Sequence, residues 1–133
     1  MELNTWLHLD GVSILAIDAN HCPGSVMFLF HLKRANQFIL HTGDFRFEPS
    51  MLNSSSPLAT FLPALPTDNG SLSILNAVYL DTTYLSPQYD FPTQHSVISS
   101  AVEITRNQLS KDPSTMVVCG MYSIGKERFV YGE

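Results

Sequence analysis

The segment VMFLFHL at residues 26–32 is the feature that most limits how this chain folds. It is apolar almost without interruption, as a strand buried on both faces of a sheet is. A loop punctuated by Pro23 and Gly24 precedes it, and a polar turn, Lys33 to Asn36, follows. QFILH at 37–41 then returns as a partner strand, which predicts a hairpin. VSILAID at 12–18 is rich in β-branched and apolar residues and reads as a further strand.

Residues 48–74 change in character. Pro49, Pro57, Pro63 and Pro66 alternate with Asn53-Ser54-Ser55-Ser56 and Asp68-Asn69-Gly70, which predicts a long surface excursion with solvated polar side chains. AVYLD at 77–81 reads as a buried strand that ends in a carboxylate. A loop carrying Tyr84, Tyr89 and Phe91 leads to Thr93, which caps a helix running to about Ser110. Val97, Ile98, Ala101, Val102, Thr105 and Leu109 form its apolar face, and Pro113 stops it. TMVVC at 115–119 is read as a strand, and Ser123 as the cap of a second helix. Strand, helix and strand from 77 to 119 predict a βαβ unit with parallel strands and a right-handed crossover. The expected fold class is α/β.

Charge narrows the function. The 133 residues carry a net charge of −5, whereas a DNA-binding face normally gathers Lys and Arg. Lys33-Arg34 and Lys126-Glu127-Arg128 are the only dense basic spots, so any large electrostatic footprint for nucleic acid lies elsewhere. Cys22 and Cys119 form no disulfide framework. The N-terminal residues lack the basic and apolar regions of a signal peptide, and no apolar run approaches a membrane span. By elimination the expected location is intracellular, with no membrane partner.

Three polar clusters follow apolar strands: Asp18-Ala19-Asn20-His21-Cys22-Pro23-Gly24, His41-Thr42-Gly43-Asp44-Phe45-Arg46 and Asp81-Thr82-Thr83-Tyr84. Carboxyl ends of strands are where ligands sit in open α/β sheets. Imidazole and carboxylate suit zinc and similar ions, and a carboxylate can bridge two metals. Each residue also has a plainer account. His21 can bond loop backbone. Asp44 can make an Asx turn or pair with Arg46. Asp81 can cap the next turn, Cys22 can be a small packed residue, and His41 can be a satisfied strand-end histidine. The residues alone leave these alternatives open.

The blocks DANHCPGSVMFLF, HTGDFR, YLDTTYLSPQYDFP and VVCGMYSIGKE occur in that order over residues 18–127. This series resembles the metallo-β-lactamase/β-CASP nucleases of DNA interstrand cross-link repair, most closely the cross-link repair 1A type. The resemblance implies a partial metallo-β-lactamase αββα sandwich over residues 1–82 and the beginning of a β-CASP domain over 83–133. It implies His21 and Asp44 as metal ligands and Asp44 and Asp81 as catalytic residues. Asp81 would act by supporting the metal site through hydrogen bonds. The implied cofactor is zinc or another divalent ion. The implied reaction is 5′-to-3′ exonucleolytic hydrolysis of the DNA backbone, by in-line attack of an activated water on phosphorus. DNA with free 5′ ends is the implied partner, and the nucleus the implied location.

The family's H-x-H-x-D-H block and its later β-CASP motifs do not occur in these residues. The expectation is therefore an internal or truncated portion with an incomplete metal site, inactive alone. Two other readings compete. The first is a non-catalytic interaction product with exposed apolar surface. The second is a degenerate P-loop from Gly120 to Lys126, in which Glu127 stands where the magnesium-binding hydroxyl belongs.

Overall fold

Strand pairing follows the apolar runs. The computed structural model describes residues 1–59, 61 and 75–132. The chain divides into two compact units, Met1–Thr82 and Thr83–Glu133.

The first unit holds a five-stranded mixed sheet in chain order: β1 (Trp6–Leu9), β2 (Val12–Asp18), β3 (Val26–Leu32), β4 (Gln37–His41) and β5 (Leu75–Tyr79). β1 to β4 are antiparallel neighbours, and β5 joins β4 in parallel with an irregularity at Phe38/Ile39. The predicted bounds of β2, β3 and β4 and the β3–β4 hairpin are as expected. Asn36 closes that hairpin at φ 49°, a left-handed conformation that Asn tolerates well.

β1 has no counterpart in the sequence expectations, although its signal is present. Asp10-Gly11 joins Leu9 to Val12, and Asp-Gly between apolar runs is a strong hairpin signal. Gly11 sits at φ 75°, where a side chain would be strained.

Register places Leu15 opposite Leu29, Leu29 opposite Leu40, and Ile17 opposite Met27. These five side chains share one face of the sheet and are buried, Leu29 completely at 0% exposure. Leu58 joins them, with Phe45, Met51 and Phe61 packed against the cluster. Phe61 meets Trp6 edge-on at a ring separation of 6.2 Å and Phe38 at a tilt at 5.0 Å. The excursion after residue 48 thus departs from expectation in its apolar residues, whereas Asn53, Ser54 and Ser55 are exposed as expected. Its described part includes a 3-10 turn at Pro49–Leu52, and its apolar residues cover the sheet. Residues 60 and 62–74 of that expectation lie outside the described residues.

On the opposite face the register aligns Ile14, Phe30 and Ile39, and also Ala16, Phe28 and His41. Ile14, Phe28, Phe30 and Ile39 are only half-buried. Burial of β3 on both faces is therefore met fully on one face and partly on the other.

β5 ends at Tyr79, two residues short of the expected Asp81, so Asp81 lies in the connection beyond the strand. In the second unit α1 (Gln94–Lys111) is capped by Thr93, whose hydroxyl accepts the Ser96 N–H at 3.2 Å. Its expected apolar face is partly covered: Ile98 is buried and Ala101, Val102 and Thr105 are half-buried, whereas Val97 is 45% exposed. At its C-cap, Asp112 accepts the Ser114 hydroxyl at 2.6 Å and the Ser114 N–H at 3.0 Å, which lowers its carboxyl pKa below the ordinary value.

Residues 115–119 form no strand, so the predicted βαβ unit is not built. Val118 is 83% exposed, and β-branched residues become a strand only against a neighbouring edge. The helix expected from Ser123 is α2 (Glu127–Tyr131), with Lys126 at the N-cap in a left-handed conformation. Among the described residues no helix is long and apolar enough to cross a membrane.

Leu29→Ala tests the packing. Removing this fully buried side chain should cost about 2–5 kcal/mol in a denaturant melt. A loss within a few tenths of a kcal/mol would show that the sheet face is not a packed core.

Candidate functional site

Strand direction gathers the polar clusters. β2 and β4 point the same way, with antiparallel β3 between them, and β5 is parallel to β4. The loops that follow β2, β4 and β5 therefore leave the same edge of the sheet. They carry His21, Asp44 and Asp81 respectively.

Backbone hydrogen bonds tie these loops together. The Arg46 N–H donates to the Ala19 carbonyl at 2.9 Å, and the Asn20 side-chain amide donates to the Arg46 carbonyl at 3.4 Å. These bonds dock the His21 loop on the Asp44 loop. The Thr42 N–H donates to the Tyr79 carbonyl at 3.0 Å, and the Asp81 N–H donates to the Thr42 hydroxyl at 3.0 Å. These join the Asp44 loop to the Asp81 loop.

The His21 loop also organises itself. Asn20 sits at φ 53°, and its N–H donates to the Asp18 carboxylate at 2.8 Å, a local Asx turn. The Ser25 hydroxyl accepts the N–H groups of His21 and Cys22 at 3.3 and 3.1 Å and donates to the Cys22 carbonyl at 2.8 Å. His21 is exposed, and among the described residues its imidazole has no hydrogen-bond partner.

A cleft of about 310 Å³ opens between the ends of β4 and β5, lined by His41, Thr42, Gly43, Asp44, Tyr79, Leu80 and Asp81. Asp44 is exposed, Asp81 is half-buried, and Thr42 is buried. Neither the Asx turn nor the Arg46 ion pair open to Asp44 forms among the described residues. His21 is not in the cleft lining; it stands on the adjoining loop.

His41 lines this cleft as well, and it is the satisfied strand-end histidine that the sequence allowed. The Gly43 N–H donates to its Nδ1 at 3.1 Å, so in the neutral ring the proton sits on Nε2. Stacking on Tyr79, at 5.7 Å and 15° between planes, fixes the ring. Gly43 at φ 53° supplies the turn that permits this bond. An alternation that puts His41 on the half-buried sheet face was the available signal.

The donor types suit a divalent cation, but the number falls short. Among the described residues no three His, Cys, Asp or Glu side chains converge on a common point. A catalytic zinc site normally takes three protein ligands.

The Gly120–Lys126 segment offers no phosphate cradle of the P-loop kind. The Gly125 N–H, which a phosphate would need, already donates to the Glu127 carboxylate at 2.8 Å. The Lys126 ammonium lies 4.6 Å from the centre of the Tyr122 ring.

The chain is 44% identical over 128 residues to DNA cross-link repair 1A protein of Gallus gallus. Over this span the chain is homologous to DNA cross-link repair proteins. It is also 40% identical over 127 residues to DNA cross-link repair protein SNM1 of Arabidopsis thaliana and 38% identical over 119 residues to 5′ exonuclease Apollo of Gallus gallus. The alignments cover 96%, 96% and 90% of this chain but 12%, 23% and 22% of those relatives. No protein-family profile matches the chain. The expected relation to cross-link repair proteins therefore holds for a segment that spans about an eighth of the 1A relative's length.

Two outcomes check this geometry. Ser25→Ala should lower stability by about 1 kcal/mol and speed amide exchange at His21 and Cys22; unchanged exchange would show that the hydroxyl does not order the loop. ATP with magnesium should leave the melting temperature of this chain unmoved, whereas a saturable rise would revive the P-loop reading.

Proposed function

We propose that this chain carries part of the active site of a DNA repair nuclease, a metal-dependent 5′ exonuclease that hydrolyses the DNA backbone during interstrand cross-link repair. The observation that carries the reading is the single sheet edge at which the His21, Asp44 and Asp81 loops meet, bonded to one another. The relatives named as cross-link repair proteins and as a 5′ exonuclease support it.

In this reading residues 1–82 are part of a metallo-β-lactamase sandwich and residues 83–133 begin a β-CASP domain. His21 and Asp44 are two ligands of zinc or another divalent ion. The rest of the ligand set lies outside these residues. Asp44 offers an exposed carboxylate with no described partner, and Asp81 supports the site from the connection after β5. The metal, when bound, would supply Lewis-acid activation of water and charge stabilisation at phosphorus.

Electrostatics set a further requirement. The edge carries Asp18, Asp44 and Asp81, with Arg46 as the nearby cation in sequence. Lys33 and Arg34 lie in the β3–β4 turn, at the opposite edge. A phosphodiester approaching these carboxylates is repelled unless bound metal and basic residues outside this segment offset them. DNA is thus the substrate of the whole protein rather than of this segment alone, and the expected location is the nucleus.

Two experiments test the reading. The isolated 133-residue chain should release no nucleotides from 5′-phosphorylated DNA; a metal-free preparation that degrades it would contradict the proposal. Placed in the matching span of 5′ exonuclease Apollo, this chain should sustain exonuclease activity. Asp81→Asn should then cost about 10–100-fold, and Asp44→Asn more. Full activity of the Asp44→Asn chimera would rule out Asp44 as a ligand.

A further inference from the structure

We propose that Thr42 is a positioning residue of the cleft: its buried hydroxyl fixes the Asp81 backbone against the turn that carries Asp44, so that both carboxylates line one cleft. The inference rests on the reading of Asp44 and Asp81 as site residues and names the group that holds them in register.

Thr42 is 2% exposed. A hydroxyl removed from water must be hydrogen-bonded or it costs stability. Its Oγ1 accepts the Asp81 N–H at 3.0 Å and lies 2.9 Å from the Gly43 carbonyl and 3.3 Å from the Tyr79 carbonyl. A hydroxyl carries one proton, so it donates to one of these carbonyls or shares the proton between them. The Thr42 N–H separately donates to the Tyr79 carbonyl at 3.0 Å.

Thr42 therefore replaces the β ladder where the ladder stops. The last β4–β5 pair is His41 with Tyr79. Beyond it, the Asp81 N–H has left strand geometry and is held by a side chain. This explains why β5 ends before Asp81 and yet Asp81 lines the same cleft as Asp44. A residue that only filled space would need the methyl and not the hydroxyl. Valine keeps the shape and loses both bonds, whereas serine keeps the hydroxyl.

The test uses the full 133-residue chain, labelled with ¹⁵N, as wild type, Thr42→Val and Thr42→Ser. Amide exchange is measured at Asp81, and paramagnetic broadening at Asp44 and Asp81 during titration with Mn²⁺ alone. In the wild type both amides should broaden at the same Mn²⁺ concentration. Thr42→Val should speed Asp81 exchange by about tenfold, matching the loss of one hydrogen bond, and its Asp81 amide should broaden less relative to Asp44 than in the wild type. Thr42→Ser should restore both. Thr42→Val that melts earlier with Asp81 exchange and broadening unchanged would overturn the proposal, because the hydroxyl would then be only structural. Failure of serine to restore them would overturn it too. If wild-type Asp44 shows no broadening, the cation reading of the site falls. The exchange rates at Asp81 then still decide whether Thr42 holds that backbone.

Discussion

The lateral row Leu15–Leu29–Leu40, with Leu29 fully out of water, is the constraint on which the rest of the first unit depends. Strand side chains alternate, so a slip of one residue would turn this whole row to the other face. The row therefore fixes the register of β2, β3 and β4 together. Loop positions inherit that register. His21 and Asp44 lie within three residues of a strand end because Asp18 and His41 are where their ladders finish. A core leucine thus controls the placement of residues that it does not touch.

Direction matters as much as register. Chemistry needs several loops at one place, and an antiparallel meander sends successive loops to opposite edges. β4 and β5 avoid this by pairing in parallel, which brings the Asp81 connection to the edge already occupied by the loops after β2 and β4. The basic Lys33-Arg34 turn goes to the far edge for the same reason. The sheet thus separates the acidic edge that carries the His21, Asp44 and Asp81 loops from its densest basic spot.

The two faces of the sheet are unequal. The face with Leu29 is covered by Leu58 and the aromatic residues near it. The face with Phe28 and Phe30 remains half-open, and on the apolar side of α1 Val97 and Leu109 are exposed. Apolar surface of this extent on a monomeric domain usually marks a contact region. It accords with a segment that spans about an eighth of its 1A relative.

The sequence by itself determined the local elements. Apolar continuity marked β2, β3 and β4, and Thr93 with Pro113 bounded α1, because alternation, capping and proline act within a few residues. The four ordered blocks determined the family relation. Tertiary structure decided what depends on distant partners. TMVVC has strand composition but pairs with no edge among the described residues, and Met116 to Cys119 stay exposed. Asp81 leaves the strand because a side chain 39 positions away takes its N–H. His41 joins the cleft because the left-handed turn at Gly43 returns a backbone donor to its ring. The first two of these outcomes are not encoded in a local pattern. Each requires a hydrogen bond or an edge supplied by the folded chain.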